Sequence, residues 1–314
     1  MLHCFFEQFG HVPSCLHLCG FLSFLCFGIS TCTGNVSQVD KLWSIVPCVY
    51  AWMAVNDRRT LVMALLVTLW GVRLSYNFNR RGGYTFPYIW RGEEDYRWPI
   101  LRSGSVPYLR FLKHKVPWIL FNLLFISLFQ NILLLLIASP SLIAAAASPS
   151  SPSFDLLSYD GVAVFFFLFF LSLETIADNQ QWAFQTEKYR RIARKEPLTG
   201  DFHDGFLHQS GLYKFVRKPN YAAEQALWIS YYLFSVAAMN GRQNCSIIGC
   251  SLLALLFQGS GWMTELMAQQ KYKAYIEYKR NVPLYIPSLS RATQYLFYNT
   301  DKNRKESNDQ IKQD

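Results

Sequence analysis

Long apolar runs separated by charged segments dominate the hydrophobicity pattern of the chain. Seven such runs can be delimited, at residues 15–32, 42–56, 60–77, 116–138, 159–178, 221–239 and 246–266. A helix needs roughly 20 apolar residues to cross a bilayer, and about 17 is the lower limit. The run at 42–56 is short and the run at 221–239 contains Glu224, whereas the others are longer or uninterrupted. The pattern therefore predicts an all-α, multi-span membrane protein with about seven transmembrane helices.

The composition supports this class and excludes several others. Of 314 residues, 51% are hydrophobic and 16% are charged, whereas about 25% of the residues in a typical soluble domain are charged. This composition excludes an intrinsically disordered chain, a collagen and a coiled coil. We interpret residues 1–298 as one integral membrane domain with a C-terminal core at about 116–290, followed by a disordered cytosolic tail at 299–314.

The positive charge of the chain is concentrated on one side of the predicted topology. The chain has 30 Lys and Arg residues and a formal net charge of +9, and most of these basic residues lie on the side that contains the C-terminus. The positive-inside rule makes that side cytosolic, and Arg58 and Arg59 are the exception to it. Segment 139–158, rich in Ala, Ser and Pro, contains no Lys or Arg. We predict that it is a low-complexity exoplasmic loop that cannot form a packed core.

Four acidic residues lie inside apolar runs or at their ends, where ionisable groups are costly and often functional. Glu174 and Asp178 are four positions apart and share a helix face, while Glu224 and Glu265 belong to the sixth and seventh runs. All four are predicted in the cytosolic leaflet. One interpretation is a polar pocket that opens to the cytosol, and the other is charge pairing between helices. The candidate partners for such pairing are Arg73, Arg80 and Lys271.

Segment 211–228, GLYKFVRKPNYAAEQALW, combines the start of a helix with polar side chains. Pro219 suits the first helical turn, and Asn220 and Glu224 follow within it or just after it. A helix N-terminus binds anions through its free N–H groups, and Arg217 adds positive charge there. The segment is therefore a candidate site for a phosphate-bearing cofactor that binds among helices.

The tyrosine repeat near the C-terminus and the cysteines of the first apolar run indicate packing or membrane contact, not catalysis. Tyr272, Tyr275 and Tyr278 recur every three residues, which favours an amphipathic helix on the membrane surface with aromatic side chains at headgroup level. Cys15 and Cys19 belong to a helically spaced set in the first apolar run, which is typical of small residues that pack inside a span. Because the chain lacks closely spaced Cys and His pairs, we predict no metal site.

The residues of segment 211–228 resemble the GLF-x-x-V-x-x-x-NY-x-x-E-x-x-x-W signature of steroid 5α-reductases. Similar matches, closest to the steroid-oxidoreductase-like branch of that family, extend over about residues 40–290. They comprise a D-x-x-W-S-like start (Asp40, Trp43, Ser44), a W-G-x-R-L-x-x-N third run (Trp70, Gly71, Arg73, Leu74, Asn77) with Arg80 after it, and an EDYRW loop (Glu94 to Trp98).

This resemblance implies an oxidoreductase of the endoplasmic reticulum membrane with NADPH as cofactor. Its substrate would be a steroid- or lipid-like molecule with a carbon–carbon double bond conjugated to a carbonyl group. NADPH would lie in a cytosol-facing cavity among the last three helices. The cofactor-binding positions that the resemblance implies are Glu174, Asp178, Arg194, Arg217, Asn220, Tyr221, Glu224, Trp228 and Tyr272.

The chain departs from the steroid enzymes where those enzymes hold the substrate carbonyl. They carry a Glu in the second helix and a Tyr in the third, whereas the second run here has Asp40 at its edge and no Glu inside. A carbonyl polariser must donate a hydrogen bond. We predict that Tyr76 has this catalytic role, oriented by Asp40, with Asn77 beside it.

Two other functions remain open. Arg217, Pro219 and Tyr221 also fit the R-H-P-x-Y-x-G segment of isoprenylcysteine-type methyltransferases, which use S-adenosylmethionine, although Lys218 stands where those enzymes have His. A non-catalytic membrane protein that binds lipid or acts as a scaffold is the third candidate. The expected partners are the bilayer and a lipid-like small molecule. The membrane-facing arrangement of the basic residues does not predict nucleic-acid binding.

Overall fold

The computed structural model describes residues 13–148 and 151–288, so the predicted tail at 299–314 lies outside the described residues. Within these ranges the secondary structure is helical and contains no strand, which confirms the all-α prediction. The helices are α1 (Pro13–Thr33), α2 (Gln38–Leu42), α3 (Val46–Met53), α4 (Arg58–Asn79), α5 (Arg97–Arg102), α6 (Lys115–Ala147), α7 (Tyr159–Arg194), α8 (Asp201–Asp204), α9 (Pro219–Ala238), α10 (Ile247–Lys271) and α11 (Tyr275–Asn281).

Five of these helices are long and apolar enough to cross a membrane, namely α1, α4, α6, α7 and α10. Helix α3 has eight residues, which span only about 12 Å. Helix α9 has 20 residues, a sufficient length, but Asn220, Glu224 and Gln225 lower its hydropathy. The described residues therefore form a multi-pass helical membrane protein, and the predicted number of seven spans is not confirmed.

The fold divides into two compact units. Unit 1 comprises the chain up to Leu168 together with Leu227–Leu255, and unit 2 comprises Phe169–Ala226 and the chain from Leu256 onward. Helices α7, α9 and α10 each continue from one unit into the other. Consequently Leu227 and Trp228 belong to unit 1, although residues 211–226 of the same motif belong to unit 2.

In unit 1, helices α3 and α4 approach closely at a glycine. A Cβ atom on Gly71 would lie 2.5 Å from both the Sγ atom of Cys48 and the backbone oxygen of Ser44. Trp70, the preceding residue, is fully buried, and its ring centroid lies 4.9 Å from that of Trp228. Glycine is therefore required where the two helices touch, because no larger residue fits between them.

The N-terminus of α4 is fixed by a capping box. The side chain of Asp57 accepts a hydrogen bond from the backbone N–H of Thr60, and the Thr60 side chain accepts one from the backbone N–H of Asp57. Ser148 donates to the Asp57 carboxylate at 3.1 Å, and Asn56 donates to the carbonyl of Ala145 at 2.9 Å. These contacts place the start of α4 beside the C-terminal end of α6.

The two arginines that violate the positive-inside rule begin α4, and Arg59 forms a buried ion pair. Its Nε and Nη2 atoms lie 2.8 and 2.9 Å from the two carboxylate oxygens of Asp160, at the start of α7. The side chains of Arg59 and Asp160 are 2% and 0% exposed. Because the Asp160 carboxylate neutralises it, Arg59 presents no free charge at this end of α4. One of the two arginines that were exceptions in the predicted topology is therefore accounted for.

Helix α6 continues into the segment that was predicted to be a loop. Residues 139–147 are helical and residues 139–144 are buried, so the prediction of an unpacked loop over 139–158 is wrong for its first half. Ser139 and Ser141 donate their side-chain hydroxyls to backbone carbonyls three residues earlier. Small Ala and Ser side chains allow membrane helices to pack closely, and Ala has the highest helix propensity, so this low-complexity composition forms a packed helix.

Helix α7 is also longer than its apolar run. It continues through residues 179–194, which belong to the charged segment between the fifth and sixth apolar runs. Glu187 pairs with Arg190 and Arg191 at 2.7 Å on this extension, and such i,i+3 and i,i+4 pairs stabilise an exposed helix. Along α1, Cys15, Cys19 and Cys26 are buried, which confirms their prediction as small packing residues.

Candidate cofactor site

All four of the acidic residues singled out in the sequence are buried in unit 2. Glu174 and Asp178 lie on α7, Glu224 lies on α9 and Glu265 lies on α10, and each is only 4–5% exposed. Buried carboxylates are costly unless they are paired or hydrogen-bonded. All four acids therefore lie in the interior of this unit.

Asn220 connects the first turn of α9 to α7. Its side-chain Nδ2 donates to Oδ1 of Asp178 across 3.3 Å. Glu224 follows Asn220 by one helical turn on the same face, and Glu174 precedes Asp178 by one turn on its helix. The structure therefore brings together Asp178 and Asn220, and their helices carry Glu174 and Glu224 one turn away.

Glu265 belongs to a separate, charge-paired part of unit 2. Its Oε1 atom accepts a hydrogen bond from Nε of Arg217 at 2.5 Å, and its Oε2 atom lies 3.3 Å from Nζ of Lys279. Nη1 of Arg217 also donates to the backbone carbonyls of Lys279 and Val282. The charge-pairing interpretation therefore applies to Glu265, but its partners differ from the three candidates predicted from the sequence.

Arg217 was predicted to bind the cofactor, and its contacts give it a structural role. The residue is buried, and its guanidinium bonds to Glu265 and to the C-terminal end of α11. The backbone N–H groups of Arg217 and Lys218 donate to the carbonyls of Pro283 and Leu284 at 2.9 and 3.1 Å. Arg217 thus fixes the segment that follows α11 beside the start of α9.

Tyr221, also predicted at the cofactor, packs against α10. Its ring centroid lies 4.7 Å from that of Phe257, and its hydroxyl lies 3.4 Å from Oγ of Ser260. Tyr285 donates to the carbonyl of Phe257 at 2.8 Å, and burial raises the pKa of Tyr285 to about 12. Tyr285 therefore remains a neutral hydrogen-bonding group at neutral pH.

The tyrosine-rich segment after α10 does not form the predicted surface helix. The chain is irregular between α10 and α11, and Tyr275 and Tyr278 are buried against Phe206 with ring centroids 5.1 and 5.5 Å away. The hydroxyl of Tyr278 donates to the carbonyl of Tyr213 at 2.5 Å. The prediction of aromatic side chains at headgroup level is wrong for these two residues, because an aromatic core within unit 2 takes them inward.

Tyr272 and Arg194 lie in different surroundings from the acidic residues. Tyr272 is half-buried, with Nζ of Lys188 3.5 Å from its hydroxyl. Arg194 ends α7 with a side chain that is 66% exposed, 3.8 Å from Glu196. It follows Asp178 by more than four helical turns, about 24 Å along the axis, so the structure does not bring Arg194 and Asp178 together.

Sequence reasoning missed Gln180, which lies one half-turn beyond Asp178 on α7. Its side-chain oxygen accepts a hydrogen bond from the backbone N–H of Leu212 at 2.9 Å. Gly211 has φ +62°, and a Cβ atom on it would clash with the Gln180 amide. The Gly211 that opens the sequence motif is therefore required for the loop to reach α7, and no local pattern around Gln180 indicated this contact.

The predicted carbonyl-binding residues lie in unit 1. Oδ2 of Asp40 accepts a hydrogen bond from Nε1 of Trp98 at 3.0 Å, and burial raises the pKa of Asp40. The Tyr76 side chain is 65% exposed, with the guanidinium of Arg80 5.5 Å from its ring centroid. Asn77 is buried and accepts a hydrogen bond from Nε of Arg80 at 2.8 Å. The described contacts of Asp40 do not include Tyr76.

Trp228, the last residue of the motif, belongs to the core of unit 1. It is fully buried, with ring centroids 4.9 Å from Trp70 and 5.4 Å from Tyr231. Its backbone carbonyl accepts a hydrogen bond from the thiol of Cys250 at 3.2 Å. These contacts indicate a packing role for the Trp228 side chain.

Comparison with known proteins finds a matching family and a relative whose descriptions give no function. A family model described as protein of unknown function (DUF1295) matches residues 26–282, a range that includes every candidate site residue. The uncharacterized protein C594.04c of Schizosaccharomyces pombe is 35% identical over 277 residues, which cover 84% of this chain and 76% of the yeast protein. No solved structure gives a significant match.

Proposed function

Because this chain belongs to the DUF1295 family of proteins of unknown function, we propose its activity from its own residues. We infer a membrane-bound, NADPH-dependent reductase that acts on a carbon–carbon double bond conjugated to a carbonyl in a steroid- or lipid-like substrate. The observation that carries the proposal is the cluster in unit 2 of three buried carboxylates, Glu174, Asp178 and Glu224, with the half-buried Asn220, which bonds Asp178. We further propose that the protein resides in the endoplasmic reticulum with its C-terminus in the cytosol.

The chemistry of this cluster fits NADPH. Carboxylates such as Asp178 and Glu224 accept hydrogen bonds from the hydroxyl groups of a ribose. The side-chain amide of Asn220 can both donate and accept hydrogen bonds, which suits the carboxamide group of the nicotinamide.

At the start of α9, Pro219 has no N–H and the N–H of Ala222 donates to the carbonyl of Lys218. The N–H groups of Asn220 and Tyr221 are the ones without an intrahelical partner, and such groups favour a phosphate. Lys218 adds a positive charge immediately before α9. Arg217 is excluded from this set because its guanidinium holds Glu265.

When bound, the cofactor would supply a hydride for the β-carbon of the conjugated substrate, and a proton at the α-carbon would complete the reduction. The residues of the cluster would bind and orient a polar ligand inside unit 2. Tyr76 is our proposed hydrogen-bond donor to the substrate carbonyl. Polarisation by a positioned donor and correct orientation would be the contributions of the protein.

A thermal-stability titration of the full chain in detergent tests the cofactor. A ligand that binds only the native state stabilises it by about 2.7 kcal/mol at 100 times its dissociation constant. We expect this stabilisation with NADPH, and we expect Asn220→Ala and Glu224→Gln to abolish it. Glu187→Gln is the matched control, since Glu187 is a partly exposed carboxylate on the polar end of α7.

The same titration separates the competing functions. Stabilisation by S-adenosylmethionine with none by NADPH would contradict the reductase and favour the methyltransferase. A lack of stabilisation by NADPH, NADH and S-adenosylmethionine would favour a lipid-binding or scaffolding protein. If Asn220→Ala and Glu224→Gln bind NADPH as the wild type does, the assignment of the cluster is wrong even though the cofactor is right.

A further inference from the structure

Three sulfur-containing side chains of α1 and α3 lie together in unit 1. The thiol of Cys15, near the start of α1, donates to Sδ of Met53, the last residue of α3, at 3.9 Å. Cys19 follows Cys15 by one helical turn on the same face, and its thiol lies within electrostatic reach of the Cys15 thiol. Both cysteines are buried, whereas Met53 is 42% exposed. The thioether of Met53 is therefore the open side of this sulfur cluster.

A buried tyrosine hydroxyl faces the sulfur cluster. Tyr50 lies three positions before Met53 on α3 and is fully buried. Its hydroxyl lies beside the Cys19 thiol and has no hydrogen bond to an oxygen or nitrogen atom in the part of the chain that the structure describes. A buried hydroxyl is costly without a partner. Because a thiol is a weak acceptor and hydrogen bonds to a charged acceptor are stronger, the position of Tyr50 suits a thiolate at Cys19.

The thioether decides which metal ion such a cluster can hold. Zinc sites are built from Cys, His, Asp and Glu, and the described residues contain no group of three such side chains that could hold a metal ion. Cu(I) is bound by thiolate and thioether sulfur together. The sequence criterion of paired Cys and His residues concerned zinc and did not count methionine. The contact of Met53 with Cys15 therefore favours Cu(I) over zinc.

The separation of the sulfur atoms fits one shared ion. A bond between a metal ion and a thiolate is about 2.3 Å long, as in zinc sites, so two sulfur ligands about 120° apart around one ion are about 4.0 Å from each other. Sγ of Cys15 and Sδ of Met53 are 3.9 Å apart. Cys19, one turn further along the same face of α1, is placed to supply the third sulfur.

We propose that Cys15, Cys19 and Met53 bind one Cu(I) ion through their three sulfur atoms, with Tyr50 donating a hydrogen bond to the thiolate of Cys19. Each cysteine releases its proton to the solvent when the ion binds. Two thiolates and one Cu(I) ion then have a net charge of −1, which the hydroxyl dipole of Tyr50 stabilises. The ion would join α1 to α3. The site uses no residue of the proposed cofactor or carbonyl-binding sets, so it does not depend on the proposed reductase.

The test titrates Cu(I) into the metal-free full chain in detergent under anaerobic, reducing conditions, with a chromophoric Cu(I) chelator as competitor. The X-ray absorption spectrum of the loaded protein at the copper K edge then reports the ligand atoms. We expect one ion per chain to be withheld from the chelator, with a coordination shell of three sulfur atoms. A shell dominated by nitrogen or oxygen, or complete loss of copper to the chelator, would overturn the proposal.

Cysteine variants assign the ion to this cluster. Cys15→Ser and Cys19→Ser are each expected to abolish stoichiometric binding, because a serine hydroxyl is not a soft ligand. Cys26→Ser is the matched control, since Cys26 is also a buried thiol of α1 and lies about 10 Å beyond Cys19 along the helix axis. Stoichiometric binding by the double variant Cys15→Ser with Cys19→Ser, or its loss in Cys26→Ser alone, would refute the site.

Two substitutions on α3 that change side-chain volume little test the contacts that select copper. Met53→Leu is expected to reduce the shell from three sulfur atoms to two, whereas Met263→Leu, at a buried methionine of unit 2, leaves it unchanged. Tyr50→Phe is expected to keep three sulfur atoms and to weaken Cu(I) binding about ten-fold, as loss of a hydrogen bond to a metal ligand does. Three sulfur neighbours in Met53→Leu would contradict the proposal. Circular dichroism of each metal-free variant distinguishes loss of copper from loss of fold.

Discussion

The ion pair between Arg59 and Asp160 is the contact whose removal has the most definite expected cost. Both side chains are almost completely buried, and two charge-assisted hydrogen bonds of 2.8 and 2.9 Å join them. Replacement of Arg59 by Gln leaves the Asp160 carboxylate without a compensating charge. Loss of one partner of a buried pair destabilises a protein by about 3–5 kcal/mol, and we expect Arg59→Gln to fall in this range.

A second substitution tests whether the cost comes from the unpaired charge. In the double variant Arg59→Met with Asp160→Leu no buried charge remains, and replacement of a buried pair by apolar residues is often neutral. We therefore expect the double variant to be more stable than either single variant. Arg190→Gln is the surface control. The side chains of Arg190 and its partner Glu187 are 38% and 33% exposed, and exposed ion pairs contribute roughly 0.2–1 kcal/mol to the free energy of unfolding.

The assay is equilibrium unfolding in mixed micelles, with the free energy of unfolding followed by circular dichroism. If Arg59→Gln lowers this free energy no more than Arg190→Gln does, the pair is not a buried structural contact. If the double variant loses as much as the two single variants together, the unpaired charge is not the origin of the cost.

The remaining predictions concern a close helix contact, a pH-dependent pair and the proposed chemistry. Gly71→Ala is expected to destabilise unit 1 by about 1–3 kcal/mol in the same unfolding assay, because the added methyl group meets a thiol and a backbone oxygen. The hydrogen bond from His208 lowers the pKa of Asp204 below its usual 3.8. The ionised Asp204 therefore contributes stability above pH 3.8, and this contribution is lost as the pH falls through the pKa of Asp204 in the folded protein. We expect Asp204→Asn to remove this acid-dependent part of the stability, measured by thermal unfolding over a pH series. Tyr76→Phe is expected to lower turnover of a conjugated carbonyl substrate about 10²–10³-fold, with NADPH binding unchanged.

Each of these predictions has a control. Gly28→Ala, in α1, has no atom within 4 Å of the added methyl group, and an equal loss of stability in both glycine variants would contradict the argument from close contact. A pH profile for Asp204→Asn that matches the wild type below pH 3.8 would refute the assigned pKa shift. Tyr189→Phe, at another exposed tyrosine, should retain full turnover, and wild-type turnover of Tyr76→Phe would exclude it as the carbonyl donor.

Apolar run length predicted the positions of the membrane-spanning helices but not their ends. Hydropathy reports which residues tolerate hydrocarbon, whereas a helix continues wherever its backbone hydrogen bonds and side-chain pairs are favourable. Residues 179–194 therefore extend α7 as a charged helix, and residues 139–147 extend α6 through an Ala- and Ser-rich stretch. Neither stretch has the composition of a span, so apolar run length alone ended both helices too early.

The sequence predicted the contacts of the candidate site between residues that share a helix face. It did not predict the contacts between residues that are distant in sequence. The i,i+4 spacing placed Glu174 with Asp178, and buried positions followed from their place in apolar runs. The partners of Glu265 are Arg217 and Lys279, and no local pattern joins residues so far apart in sequence. Of the two interpretations left open by the sequence, charge pairing therefore holds for Glu265, but none of the three partners suggested from the sequence is the one it has.

The direct test of the central proposal is transfer of label from NADPH deuterated at nicotinamide C4 to a conjugated 3-oxo steroid, catalysed by the purified full chain in detergent. The account predicts a saturated product that carries one deuterium at the former β-carbon, with loss of this product in Glu224→Gln and its retention in Glu187→Gln. A chain that binds NADPH or S-adenosylmethionine but transfers no deuterium to any conjugated carbonyl lipid would contradict the account.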